Sequence, residues 1–196
     1  MKEKVLKVPF STQHWNLDDW KNLGFSSRDE AEYWERSSCG VLCLQMAIQY
    51  LIGQHISTIK LITEGQQLGA YTDAKGWSHE GLVRLASTFD VSAQQRQMNH
   101  EALVTAVDAS AVPIISIKWA FNPRKSLKEK ILFWKKYGGH LAVVVGYRMV
   151  EDSIIGFYVH HTSKKLEQNW VSRFVPLETF KAGYTGRAII VSSNNS

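Results

Sequence analysis

From Val112 onward the apolar residues of this chain change their period, and that change restricts the fold more than any other feature. Before it, apolar residues recur at helical spacing. After it, they come as short stretches rich in Val, Ile and aromatic residues, the pattern of buried strands. Strands are expected over 112–119, 141–147, 154–160 and 187–191, with a short N-terminal strand at 5–8 that ends at Pro9. Helices are expected over 27–34, from 39 to a stop at Gly53, over 57–67, after Ser78, after Asn99, and briefly near 176–180. Helices first and strands later, without an internal repeat, make an α+β layout in which a helical layer packs on a mostly antiparallel sheet. At 196 residues the chain is read as one domain spanning 1–196.

The helix that opens at Cys39 carries Val41, Leu42, Leu44, Ile48, Leu51 and Ile52 on its apolar faces. Ser37 or Ser38 is placed to cap its first turn, which puts Cys39 at the positive end of the helix. A thiol there has its thiolate form stabilised, and the thiolate is the nucleophile. Taken alone, Cys39 reads first as a small buried apolar residue. Cys43, one helical turn further along, reads as core, in a stripe of small residues with Ala47.

A base is the missing partner. Gly138-Gly139-His140 precedes the apolar run 141–145, so His140 stands at the mouth of a rigid strand, with two glycines permitting close approach of another element. A Cys early at a helix start and a His late at a strand start form the nucleophile and base of a thiol hydrolase, in which imidazole takes the thiol proton and later returns it to the leaving group.

Composition sets the outer bounds. The chain is 44% hydrophobic and 21% charged, ordinary for a globular protein, and only 192–196 reads as disordered. Its net charge of +5 is mildly basic, which suits an acidic partner or an anionic surface; no nucleic-acid partner is expected. Two cysteines four apart on a helix are poorly placed for a disulfide, so free thiols, a reducing compartment and a cytoplasmic location are expected. The N-terminus lacks a secretory apolar segment, and no apolar run is long enough to span a membrane. No cofactor or metal is expected.

The order Val8-Pro9-Phe10 with Gln13, then Ser38-Cys39-Gly40 opening a helix, then Gly139-His140 before Val143-Val144-Val145-Gly146-Tyr147, resembles the C39-like (bacteriocin-processing type) papain-fold cysteine peptidases. The resemblance runs over nearly the whole chain and includes the short helix at 177–180 before Gly186-Arg187-Ala188-Ile189. It implies a papain-like fold, with Cys39 as nucleophile, His140 as general base and Gln13 as an oxyanion donor beside the Cys39 amide. The family's third member is usually an Asp or Asn at the end of the next strand. Here the strand ends Tyr158-Val159-His160-His161-Thr162-Ser163, so His161 occupies that position, and Asn169 is the nearby alternative. The implied function is cleavage of a peptide or amide substrate through a Cys39 acyl-enzyme. An acyltransferase using the same thioester, and a binding module whose site has decayed, are the alternatives.

Other candidates are weaker. Trp77, His79 and Glu80 at a helix start either line a cleft or belong to an exposed capped helix. A metal site from His140, His160 and His161 is opposed by strand alternation, which sends adjacent side chains to opposite faces. The basic and aromatic stretch 124–137, just before His140, is expected to form a flap beside the base.

Overall fold

Ser27 accepts a hydrogen bond from the Glu30 amide, and Glu30 reaches back to the amide and hydroxyl of Ser26. This capping arrangement starts α1 (Arg28–Ser37), in a computed structural model that describes residues 1–118, 121, 139–163, 166 and 168–194. The stretch 124–137 therefore lies outside the described residues. α1 runs almost directly into α2 (Cys39–Ile52), with Ser38 as the joint. Ser38 does not cap α2 as the sequence suggested: its side chain makes no cap hydrogen bond, because its backbone is already turned and its main-chain N–H continues α1 by donating to Trp34. Gly53 ends α2 in the left-handed conformation (φ 68°), where a side chain would be strained.

Residues Gly40 to Ile48 of α2 are all buried, so this helix is the centre of the molecule rather than its surface. α3 (Thr58–Gln67) and α4 (His79–Ala86) lie against it, while α5 (His100–Asp108) packs on β5 and β6, strands of the sheet described below. Their caps are Ser57, where the sequence starts a helix, and Ser78 and Asn99, the caps read from sequence. A two-stranded ribbon of β2 (Tyr71–Thr72) and β3 (Gly76–Trp77) precedes α4. The last helix, α6 (Leu177–Gly183), follows Pro176 as expected.

Among the described residues the sheet has seven strands. β4 (Val91–Gln97), β9 (Tyr184–Ser193), β5 (Val112–Ile117), β6 (His140–Val150), β7 (Ser153–His161) and β8 (Trp170–Pro176) lie in that spatial order, all antiparallel. β1 (Lys2–Val5) completes it along β6. The first residues of β6 pair with β5 (Ile117 with His140, Ile114 with Val143), and the later ones pair with β1 (Val5 with Gly146, Lys2 with Met149). β1 thus continues the line that β5 leaves, three residues earlier than the strand expected at 5–8.

β5 is buried along its whole length, and β6 from Leu141 to Tyr147. Their continuous apolar runs reflect cover on both faces. α2 and β6 meet, which brings the start of the helix to the start of the strand.

Candidate functional site

The N-terminal segment after β1 is a strap from the sheet to the helical layer. The Leu6 amide donates to the Val145 carbonyl (2.7 Å), and His160 on β7 fastens the strap next: its Nε2–H donates to the Val8 carbonyl (2.9 Å) while Nδ1 accepts from the Ser172 amide (2.8 Å). Further along, the Gln13 amide donates to the Thr162 hydroxyl (2.7 Å), and the Gln13 side-chain amide donates to the Glu35 carbonyl near the end of α1 (2.9 Å). Gln13 is 1% exposed. The strap therefore delivers Gln13 between the end of β7 and the helix junction that precedes Cys39.

Cys39 is the first residue of α2 and is half-buried. The main-chain amides of Leu141, Gly40 and Cys39 itself act on its sulfur as donors that lower the thiol pKa. Two of those donors are the unused N–H groups that every helix start presents. The third belongs to the residue after His140, and it seats the sulfur at the mouth of β6. Burial pushes the Cys39 thiol up, and the three amides oppose this without cancelling it. The helix end alone therefore does not produce the stabilised thiolate expected from sequence. A positive charge beside the sulfur is what the site still requires.

Trp77 sets the floor on the helical side. A Cβ added to Gly40 would lie 2.6 Å from its ring, and one added to Gly65 on α3 would lie 2.5 Å away, so the indole is wedged against two helices at positions only glycine leaves open. Its Nε1–H donates to the Ser37 carbonyl (2.7 Å). Next to it, His79 contacts the Ser116 hydroxyl of β5 through Nε2 (2.6 Å), and burial followed by the Arg187 charge lowers its pKa. Trp77 and His79 thus turn inward, whereas Glu80 is exposed and pairs with Arg84.

His140 begins β6. Its Nε2 lies 2.8 Å from the Thr162 carbonyl oxygen. A carbonyl only accepts, so Nε2 carries the proton of the neutral ring and Nδ1 carries the lone pair. The partner of Nε2 was expected to be His161. Instead, the His161 ring lies beside that of His140 with centroids 4.8 Å apart, packed on Phe121 and Trp170. Burial, reinforced by His140, holds the His161 pKa well below the ordinary histidine value, so it stays neutral. Asn169, the alternative, does reach this region, but through Thr162: the Thr162 hydroxyl donates to Asn169 Oδ1 (2.9 Å), and Asn169 Nδ2 donates to Thr12 Oγ1 (2.8 Å).

The structure thus brings Cys39, His140, Gln13 and His161 to one place. It adds Thr162, Thr12 and the Leu141 amide, which sequence reasoning missed. Main-chain donors and acceptors leave no residue signature, and Thr162 was visible only as the residue following His161. Gln13 Oε1, Ser38 Oγ and His161 Nδ1 are buried with no hydrogen-bond partner among the described residues, and all three flank this site. Among the described residues no group of His, Cys, Asp or Glu is arranged to hold a metal ion. Both nitrogens of His160 are engaged in fastening the strap and β8. Nor is any described helix long and apolar enough to cross a membrane.

A model of the peptidase C39 family matches residues 32–196. Among solved structures, a C39-like peptidase from Bacillus anthracis is similar over 99% of both chains, with a TM-score of 0.64 and 18% identity. The peptidase domain of Streptococcus ComA, a bifunctional ABC transporter of a quorum-sensing pathway, is similar over 81% of this chain and 93% of its own, with a TM-score of 0.56 and 16% identity. A double-glycine-motif protease from an AMS/PCAT transporter, solved with a leader peptide, covers 97% of this chain and 94% of its own, with a TM-score of 0.50 and 15% identity. No curated protein sequence matches. These likenesses establish a papain-like α+β fold, a helical layer against an antiparallel sheet.

Proposed function

Because the chain belongs to the peptidase C39 family, we propose that it is a cysteine peptidase or amidase that works through a Cys39 acyl-enzyme, with residues 1–196 acting as one domain. The observation that carries this reading is that the main-chain amide of Leu141, the residue after His140, acts on the Cys39 sulfur, which places the thiol near the start of β6.

His140 Nδ1 takes the thiol proton. The resulting imidazolium supplies the positive charge that the half-buried sulfur lacks, and its Nε2–H remains directed at the Thr162 carbonyl. The thiolate attacks the scissile carbonyl, and negative charge develops on its oxygen. The Cys39 amide and the second N–H of the Gln13 side chain stabilise that charge; the first N–H is held by Glu35 and fixes the amide's orientation. The His140 proton passes to the leaving amine as the C–N bond breaks. Water then attacks the thioester, giving its proton to His140, and the thiol is restored.

A peptide is the substrate class that fits, in keeping with the leader peptide bound by the double-glycine-motif protease. The two unpaired thiols suit a reducing compartment such as the cytoplasm. The test is hydrolysis of a mixed peptide pool followed by mass spectrometry, with water as the only acceptor and then with an added amine. We expect cleavage that Cys39→Ala abolishes and that His140→Ala reduces about 10²–10⁴-fold. Amine adducts in place of acids would identify an acyltransferase. Equal product from the wild type and Cys39→Ala would overturn the reading and favour a binding module.

A further inference from the structure

Thr162 touches both halves of the proposed machinery. Its main-chain oxygen meets His140 Nε2 at 2.8 Å, and its hydroxyl accepts the Gln13 amide at 2.7 Å. That hydroxyl has one hydrogen, and Asn169 Oδ1 takes it at 2.9 Å. Asn169 in turn anchors on Thr12 Oγ1, which also accepts the His14 amide (2.9 Å), one residue on either side of Gln13. The Gln13 and His14 amides can only donate and the Thr162 carbonyl can only accept, while the Asn169 carboxamide is oriented with Oδ1 toward Thr162 and Nδ2 toward Thr12. Thr162 is 2% exposed, so water does not compete for these bonds.

We infer that Thr162 and Asn169 form a clamp that positions the base and the oxyanion donor together, in the place where a carboxylate or carboxamide would contact the imidazole directly. The Thr162 carbonyl selects the tautomer with the lone pair on Nδ1. The Thr162 hydroxyl, locked by Asn169, keeps that carbonyl and the Gln13 backbone in one fixed relation. His161, neutral and packed on Trp170, fills the space behind and keeps it dry. Both are positioning residues, since neither touches the reacting atoms. The inference rests on His140 being the base for Cys39.

The test needs no natural substrate. The rate at which iodoacetamide alkylates Cys39 is measured by mass spectrometry from pH 5 to 9 for the wild type, Thr162→Val, Thr162→Ser, Asn169→Leu, the double variant and His140→Ala. The clamp requires that Thr162→Val and Asn169→Leu each slow alkylation near neutral pH by about tenfold, and that the pH profile moves toward that of His140→Ala. Thr162→Ser must recover most of the loss. The double variant must be no slower than Thr162→Val alone, because both act through one hydroxyl. A residue that merely holds the fold would lower the melting temperature without moving the pH profile. If His140→Ala slows Cys39 and the Thr162 and Asn169 variants do not, the clamp is wrong and the base stands. If His140→Ala leaves the profile unchanged, the reading of the base itself is wrong. Asn169 is half-buried, so Asn169→Leu tests the clamp even where Thr162→Val fails to fold.

Discussion

At Cys39 two effects oppose each other. Three amides aim at the sulfur, and burial outweighs them, so the thiol is neutral until a cation is beside it. Cys43 lies one turn deeper, is 1% exposed, and is pushed up by burial and then by Cys39. We therefore expect iodoacetamide to add one label to the native protein, at Cys39, and a second only in denaturant. A native label on Cys43 alone would contradict the assignment. Gln13 has a separate signature, because its side chain links Glu35 to the proposed oxyanion site. Gln13→Ala should lower kcat by about 10²–10³-fold, the cost of removing an oxyanion donor. Gly40 offers a third check. The methyl of Gly40→Ala would press on the Trp77 ring, and the core has no room to move it cheaply. A loss of about 1–3 kcal/mol in denaturant unfolding is expected.

Among the elements, β7 has the most varied duties. It pairs with β6 and β8, ends at His161 beside the candidate base, and uses His160 to hold the strap. The ladder between β7 and β8 shifts register around His160, and Ser172 opposite sits at φ 44°, so its amide turns to the His160 ring. The His160 pKa lies below its ordinary value, chiefly through burial, and that of His161 lies further below for the same reason. Both are neutral when folded and bind protons more readily when unfolded. The stability this confers is complete above about pH 6.5 and is lost as pH falls through the depressed folded values. Denaturation midpoints should fall between pH 7 and pH 5. His160→Gln, which cannot titrate, should be less stable at pH 7 by about 1–3 kcal/mol yet fall less steeply in acid. An equally steep fall in that variant would place the acid sensitivity elsewhere.

Across the whole molecule, one core joins α2 to β5, β6 and β9, and the strap ties the two layers from outside. Thermal unfolding followed by far- and near-ultraviolet circular dichroism should give coincident transitions, as a single cooperative unit requires. Two separated steps would mean that the layers fold apart. Much of this architecture was legible in the sequence. Ser27, Ser57, Ser78 and Asn99 start helices because their oxygens satisfy first-turn amides, a local effect that needs no tertiary context. The buried strands β5 and β6 announce themselves by apolar runs. β4 did not, because residues 94–97 are exposed and their strand exists only through pairing with β9. β8 did not either, because the backbone at Ser172 breaks its alternation. In the candidate site, Cys39, Gln13 and His140 were visible as residue types at telling places. The carbonyl that faces His140 was not, because a peptide oxygen looks alike at every position.

β1 gives the last consequence. Only seven residues separate Val5, fixed opposite Gly146, from Gln13, and Val8 is pinned on the way. With so little slack, the register of β1 on β6 acts as a length gauge for the arm that carries Gln13. A slip of two residues would preserve every outward and inward face yet displace the following chain by about 7 Å. Tension on the N-terminus would thus be felt at Gln13 before the core yielded, and a fusion there should carry enough loose linker to leave the gauge unloaded.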